Sequence, residues 1–116
     1  MLKGEAGTDA VSYAERTTKV TVTLDDQLND GEAGENDNLT GIENITGGSA
    51  GDALSGDGSP NRLAGGPGDD QLDGALGADT LIGDGGRDRV VYVLGGRGSG
   101  VVATIGGAAG AVGVED

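Results

Sequence analysis

Residues 47–91 read GGSAGDALS GDGSPNRLA GGPGDDQLD GALGADTLI GDGGRDRVV, five nine-residue units laid end to end. Leu54, Leu63, Leu72, Leu81 and Val90 recur at every ninth position without a slip. Two places before each of them stands Asp52, Asn61, Asp70, Asp79 or Asp88, and Gly47, Gly56, Gly65, Gly74 and Gly83 open the units. Three ladders in phase mark a repeat architecture, in which one unit cannot bury its apolar side chain alone and neighbours must stack.

The chemistry of one unit explains its residue types. Glycine at the first, second and fourth places is expected to let the backbone take positive φ and turn tightly. The last three residues should form a very short strand whose middle side chain points inward, so that stacked units build an inner ladder of Leu and Val. The sixth-place carboxylates should then line up on the outer turns, about 4.8 Å apart. Bare carboxylates at that spacing repel, and a divalent cation between them reverses the sign of the interaction.

Composition sharpens this expectation. The chain has 116 residues, 26 of them glycine, and its only aromatic residues are Tyr13 and Tyr92. A conventional two-layer core would need more large apolar side chains than that. The net charge of −13 with low hydrophobicity predicts disorder, unless something neutralises the charge and builds structure at the same time. Cysteine and histidine are both absent, which removes disulfides, thiol chemistry and the usual ligands of zinc, copper and haem. Carboxylates and backbone carbonyls remain, and these hard oxygen donors suit calcium or magnesium. The acidic balance argues against nucleic acid as a partner. No apolar run approaches a membrane span, so membrane insertion is not expected, and any export signal is expected outside this chain. Without histidine no Ser/His/Asp set exists, and the carboxylates are accounted for by the stacked array, so no enzyme activity is expected.

The unit Gly65-Gly66-Pro67-Gly68-Asp69-Asp70-Gln71-Leu72-Asp73 resembles the RTX (hemolysin-type) family of secreted bacterial proteins, whose repeat is G-G-x-G-x-D-x-U-x with U apolar. The resemblance implies an all-β fold, a parallel β-roll or β-helix solenoid with two units per coil and calcium in the turns. It implies metal ligands at Asp52, Asp70 and Asp88 on one edge and at Asn61 and Asp79 on the other. The glycine-rich turns would add oxygens around Gly66, Gly68, Gly77 and Gly86, with Asp69 beside them. It also implies a module that passes unfolded through a type I secretion channel and folds outside the cell. The departures are Asn61 at a ligand place, Ala50 and Ser59 at fourth places, and Ala75 at a second place. An uncharged Asn61 should weaken its edge.

Outside the five units, residues 4–12 read as one partial unit, with Asp9 and Val11 at the ligand and apolar places. Residues 13–46 are expected to be a non-repeat segment. It holds a half-buried strand at Val20-Thr21-Val22-Thr23-Leu24, acidic loops, and a return to register at Ile42 and Ile45. There Glu43 falls at a ligand place, and with Asp37 it is a candidate to cap the first calcium site. Asp9, Val11 and Tyr13 recur 79 residues on as Asp88, Val90 and Tyr92, so 92–116 is expected to start a second long unit. Val101-Val102-Ala103-Thr104-Ile105 answers the strand at 20–24. The glycine-rich run 95–100 lacks the residues of a phosphate-binding loop and reads as a turn. Both ends look cut rather than capped, which raises end-to-end stacking of copies into a fibre or repetitive adhesin as the alternative to a single calcium-folded module.

Overall fold

The computed structural model describes residues 2–25 and 27–91, together with the backbone of two further strands at 102–104 and 114–115. Among these residues the chain is all-β and contains no helix. Eight strands lead up to the core of the repeat: β1 Leu2–Lys3, β2 Ala10–Ser12, β3 Val20–Thr23, β4 Gly31–Glu32, β5 Leu39–Thr40, β6 Asn44–Thr46, β7 Ala53–Ser55 and β8 Arg62–Ala64. Five follow: β9 Gln71–Asp73, β10 Thr80–Ile82, β11 Arg89–Val91, β12 Val102–Thr104 and β13 Val114–Glu115.

Alternate strands of the repeat go to opposite sheets. One sheet runs β12-β10-β8-β6-β2 and the other β13-β11-β9-β7-β3-β4, parallel throughout except where β4 meets β3 antiparallel. A three-residue strand followed by a six-residue turn crosses to the other sheet, so the partner in the same sheet is two units away. Leu63 accordingly stands beside Leu81, and Leu54 beside Leu72. This arrangement is compatible with the expected roll.

The middle residue of every repeat strand is the buried one. Val11, Ile45, Leu63 and Leu81 form one apolar ladder, and Val22, Leu54, Leu72 and Val90 form the other. All but Val11 are essentially inaccessible to solvent. Their neighbours on either side are more exposed, as the period of two in a strand requires, except Ala64, which is buried. Each such leucine contributes roughly 1.5–3 kcal/mol by leaving water.

The segment 13–46 is more closely tied to the repeat than a separate strand and loop would be. Its strand β3 takes a place in one sheet beside β7, and its end, β6, takes a place in the other beside β8. Between them residues 24–43 leave the coil and return. β4 folds back on β3, and β5 pairs with β1. Asp30, only 1% exposed, holds this excursion together, accepting Thr23 N at 2.7 Å on Oδ1 and Leu39 N at 3.3 Å on Oδ2. Leu39 and Ile42 bury its underside against the ladders. Of the residues expected to open a second long unit, Tyr92, Val101 and Ile105 lie outside the described residues, as does the run 95–100.

The ladder makes a stability prediction. Leu72→Ala should lower the unfolding free energy of the calcium-loaded chain by about 2–5 kcal/mol. Leu28→Ala, at a side chain 63% exposed on the excursion, should change it by less than about 0.5 kcal/mol. Chemical denaturation in calcium buffer measures both.

Candidate metal centre

The sixth-place side chains are not on the outside of the turns. Asp52, Asn61, Asp70, Asp79 and Asp88 are each 1–3% exposed, tucked beneath the turns that carry them. The backbone of the next coil draws them in. Asp70 Oδ1 accepts Asp52 N at 2.8 Å, Asp88 Oδ1 accepts Asp70 N at 3.0 Å, and Asp79 Oδ1 accepts Asn61 N at 3.0 Å. Each of these bonds spans 18 residues, one full coil.

The same bond continues outside the five units. Val20 N donates to Asp52 Oδ1 at 2.9 Å, and Asp9 N to Glu43 Oε2 at 2.8 Å. Two columns result: Val20, Asp52, Asp70 and Asp88 along one edge, and Asp9, Glu43, Asn61 and Asp79 along the other. Glu43 thus takes a rung, its longer side chain reaching the amide an aspartate would otherwise accept. Asp37 does not join it, because its backbone pairs with that of Asp30 inside the excursion.

At two of these aspartates the oxygen that does not accept an amide is left for other work. Asp70 Oδ2 and Asp88 Oδ2 are buried and accept no hydrogen bond, and so is Asp9 Oδ2. A buried carboxylate oxygen without a partner is costly, and a hard cation is the group that satisfies it. Each of these oxygens lies against the first-place glycine of its own turn, where a Cβ on Gly65 or Gly83 would overlap it. The expected reason for that glycine is therefore corrected. First-place glycines are absent from the left-handed region and are required by space. The left-handed positions are the second place at Gly66, Ala75 and Asp84, and the fourth at Gly68, Gly77 and Gly86.

The turn backbones supply further oxygen. Gly66 lies over Gly48 O, Gly77 over Ser59 O and Gly86 over Gly68 O, each close enough that a side chain would collide with the carbonyl. Asp69 also makes a contact between turns. It is exposed, and its Oδ1 accepts Arg87 N at 2.8 Å, pinning one turn to the next. Among the described residues no three acidic side chains gather closely enough to hold a metal by themselves. A cation here would be bound by carboxylate oxygens together with backbone carbonyls, chemistry that suits calcium.

Burial raises the Asp70 carboxyl from the ordinary 3.8 to about 7, opposed by its bond from Asp52 N and assisted by the charges of Asp52, Asp88 and Asp69. Burial likewise raises Asp88, with Asp69 and Asp84 adding to it. Beside the excursion, burial and the nearby Asp37, Asp30 and Glu35 push the Tyr13 hydroxyl up to about 12. Arg16 pairs there with Glu35 at 2.9 Å and Glu32 at 3.3 Å.

Comparison with known families agrees with this geometry. The family described as RTX calcium-binding nonapeptide repeat, four copies, matches residues 46–81 and again 55–90. Residues 46–90 are thus similar to an RTX repeat array, and the match leaves the rest of the chain unassigned. No curated protein matches the chain. The RTX match stops short of Asp9 and Glu43, which the structure places in the same columns as the matched aspartates.

Two outcomes test the site. Gly65→Ala should abolish calcium binding at its turn by displacing Asp70. Gly58→Ala, with open space around the added methyl, should leave binding unchanged; isothermal titration compares them. The raised Asp70 gives the sign of a pH effect. In chelator the folded chain keeps protons that the unfolded chain releases between pH 3.8 and about 7, so its stability should fall as pH rises through that window. Circular dichroism across that range, with and without calcium, should show the metal-free β-signal strongest at the acidic end and calcium restoring it at neutral pH.

Proposed function

We propose that this chain is a non-catalytic calcium-binding β-roll module of a secreted or cell-surface bacterial protein, ordered by extracellular calcium. The observation that carries the reading is the column of buried sixth-place carboxylates with unpartnered Oδ2 atoms at Asp70 and Asp88. Such a column is self-repelling without a cation and cohesive with one. The net charge of −13 and the thin apolar ladder point the same way. Ordering the backbone costs about 1–2 kcal/mol per residue, and one apolar side chain in nine offsets only part of that. A cation that binds the folded state alone supplies the difference. A module that remains unfolded where calcium is scarce suits passage through a type I secretion channel, and RTX repeats occur in secreted bacterial proteins.

Circular dichroism should show a largely disordered chain in chelator and β-structure at about 10⁻⁴–10⁻³ M calcium, the range of extracellular calcium modules. Magnesium should fail to replace calcium, since it dehydrates reluctantly and demands a smaller octahedral site. A stable β-fold in chelator at neutral pH would sink the calcium-driven reading.

A second reading, a calcium-stabilised fibre or repetitive adhesin built from copies end to end, draws on one observation. β2 is the last strand of its sheet among the described residues, and its outer edge has no strand beside it. Exposed edges template pairing with another chain. Sedimentation of the calcium-loaded chain over a concentration series separates the readings: growth in mass supports the fibre, and a constant monomer excludes it.

A further inference from the structure

The two sheets end differently at their first coil. In one, β4 lies antiparallel on the outer side of β3 and closes it. In the other, β2 is the last strand among the described residues, because β1, which precedes it, pairs with β5 instead. The backbone of β2 faces two ways. Tyr13 N donates to Thr46 O at 2.8 Å and Asp9 O accepts Asn44 N at 3.0 Å, so residues 9, 11 and 13 turn toward β6. Successive residues of a strand direct their backbone groups to opposite sides, so Ala10 and Ser12 turn away from β6 toward the open edge.

Two further features of this edge are incomplete by the standard of the coils behind it. Val11 heads the ladder of Ile45, Leu63 and Leu81, which are 0% exposed, whereas Val11 is 9% exposed. Beside it a cleft of about 300 Å³ opens, with Asp9, Ala10, Val11, Ser12 and Ile42 in its walls. Asp9 heads a column in the same way. Its amide reaches Glu43 Oε2 at 2.8 Å, as Asn61 N reaches Asp79 Oδ1 at 3.0 Å. Among the described residues no amide reaches the carboxylate of Asp9 itself. The edge therefore lacks an adjoining strand, an apolar residue over Val11 and an amide for Asp9, and one parallel strand in the spacing of the repeat supplies all three.

We propose that the open edge of β2 binds the β12 strand of a second copy of this chain, through this one sheet alone. β12 is the opposite end of the same sheet and runs parallel to its neighbours, in the register Leu81↔Ala103. A second copy displaced along the stack, without reversal, brings its β12 beside β2 with Ala103 at the ladder position of Val11. The amides of Ala10 and Ser12 then meet carbonyls of β12, and the parallel ladder that joins β2, β6, β8 and β10 continues across the junction. The second sheet does not follow, because β4 occupies the side of β3 that an incoming strand would need. The inference rests on the fibre reading above and names its contact. Different surfaces meet on the two copies, so the contact is head-to-tail and adds molecules in a line when its rotation does not close.

Residue-resolved amide hydrogen exchange of the calcium-loaded chain, at low concentration and again where sedimentation shows growth in mass, reads the contact directly. The amides of Val11 and Tyr13 should be protected in both, and those of Ala10 and Ser12 should exchange at least about tenfold more slowly in the assembled chain. Ser12→Pro removes an outward donor and leaves the bonds to β6 in place, so it should keep the calcium-dependent β-signal and stay monomeric. Val11→Lys sets a charge in the cleft, should also stay monomeric, and covers the case in which the proline variant fails to fold. Ala33→Lys, at an exposed position of the excursion next to β4, should assemble as wild type does. Growth in mass with Ala10 and Ser12 still exchanging freely, a folded Ser12→Pro or Val11→Lys that assembles like wild type, or loss of assembly in Ala33→Lys overturns the inference and leaves the fibre reading standing. A chain that is monomeric at every concentration overturns both, and the calcium reading survives either result.

Discussion

One hydrogen bond, from the amide of a sixth-place residue to the carboxylate one coil further on, organises everything else in this protein. It ties each coil to the next at the corner where strand becomes turn, and it orients the carboxylate so that one oxygen is used and the other faces the turn. Hydrogen bonds to a charged acceptor are worth about 1.5–3 kcal/mol each, more than a neutral pair. The geometry has an electrostatic consequence. Carboxylates drawn out of water into a column disfavour their own charge, which is why Asp70 is pushed up to about 7. Proton and calcium are alternative solutions to one problem.

The apolar ladder has a narrower role. One buried Leu, Ile or Val per nine residues sets which way each strand faces and keeps the two sheets in register. It leaves the turns, where most of the residues are, to be held by polar contacts. Glycine is essential there for two separate reasons. First-place glycines make room for a carboxylate, while left-handed glycines let turns stack on the carbonyls below.

The excursion 24–43 shows how a non-repeating segment can be joined to a repeat without breaking it. β3 and β6 enter the two sheets as ordinary rungs, with Val22 and Ile45 in the ladders. Glu43 fills a column position, and Asp30 uses both of its oxygens on backbone amides inside the excursion. β4, antiparallel to β3, covers the edge that β3 would otherwise expose.

The nine-residue period by itself determined the strands and their buried middle residues, because those follow from local geometry repeated without interruption; the division of sixth-place residues between two edges came from the resemblance to the RTX repeat. It also placed Ile45 and Glu43 in phase, since the register resumes before the first full unit. The work of Asp30 was illegible, because its partners Thr23 and Leu39 are brought to it only by the folded excursion. The bond made by Asp69 was illegible for a related reason: its neighbour in sequence is a ligand place, but its partner in space is Arg87 N, 18 residues further on. Only the tertiary structure decided which sixth-place side chains keep an oxygen open. The consensus gives a side chain its place in the column, whereas the amides that the folded turn brings to it, such as Gly48 N on Asp52, decide whether that side chain is already satisfied.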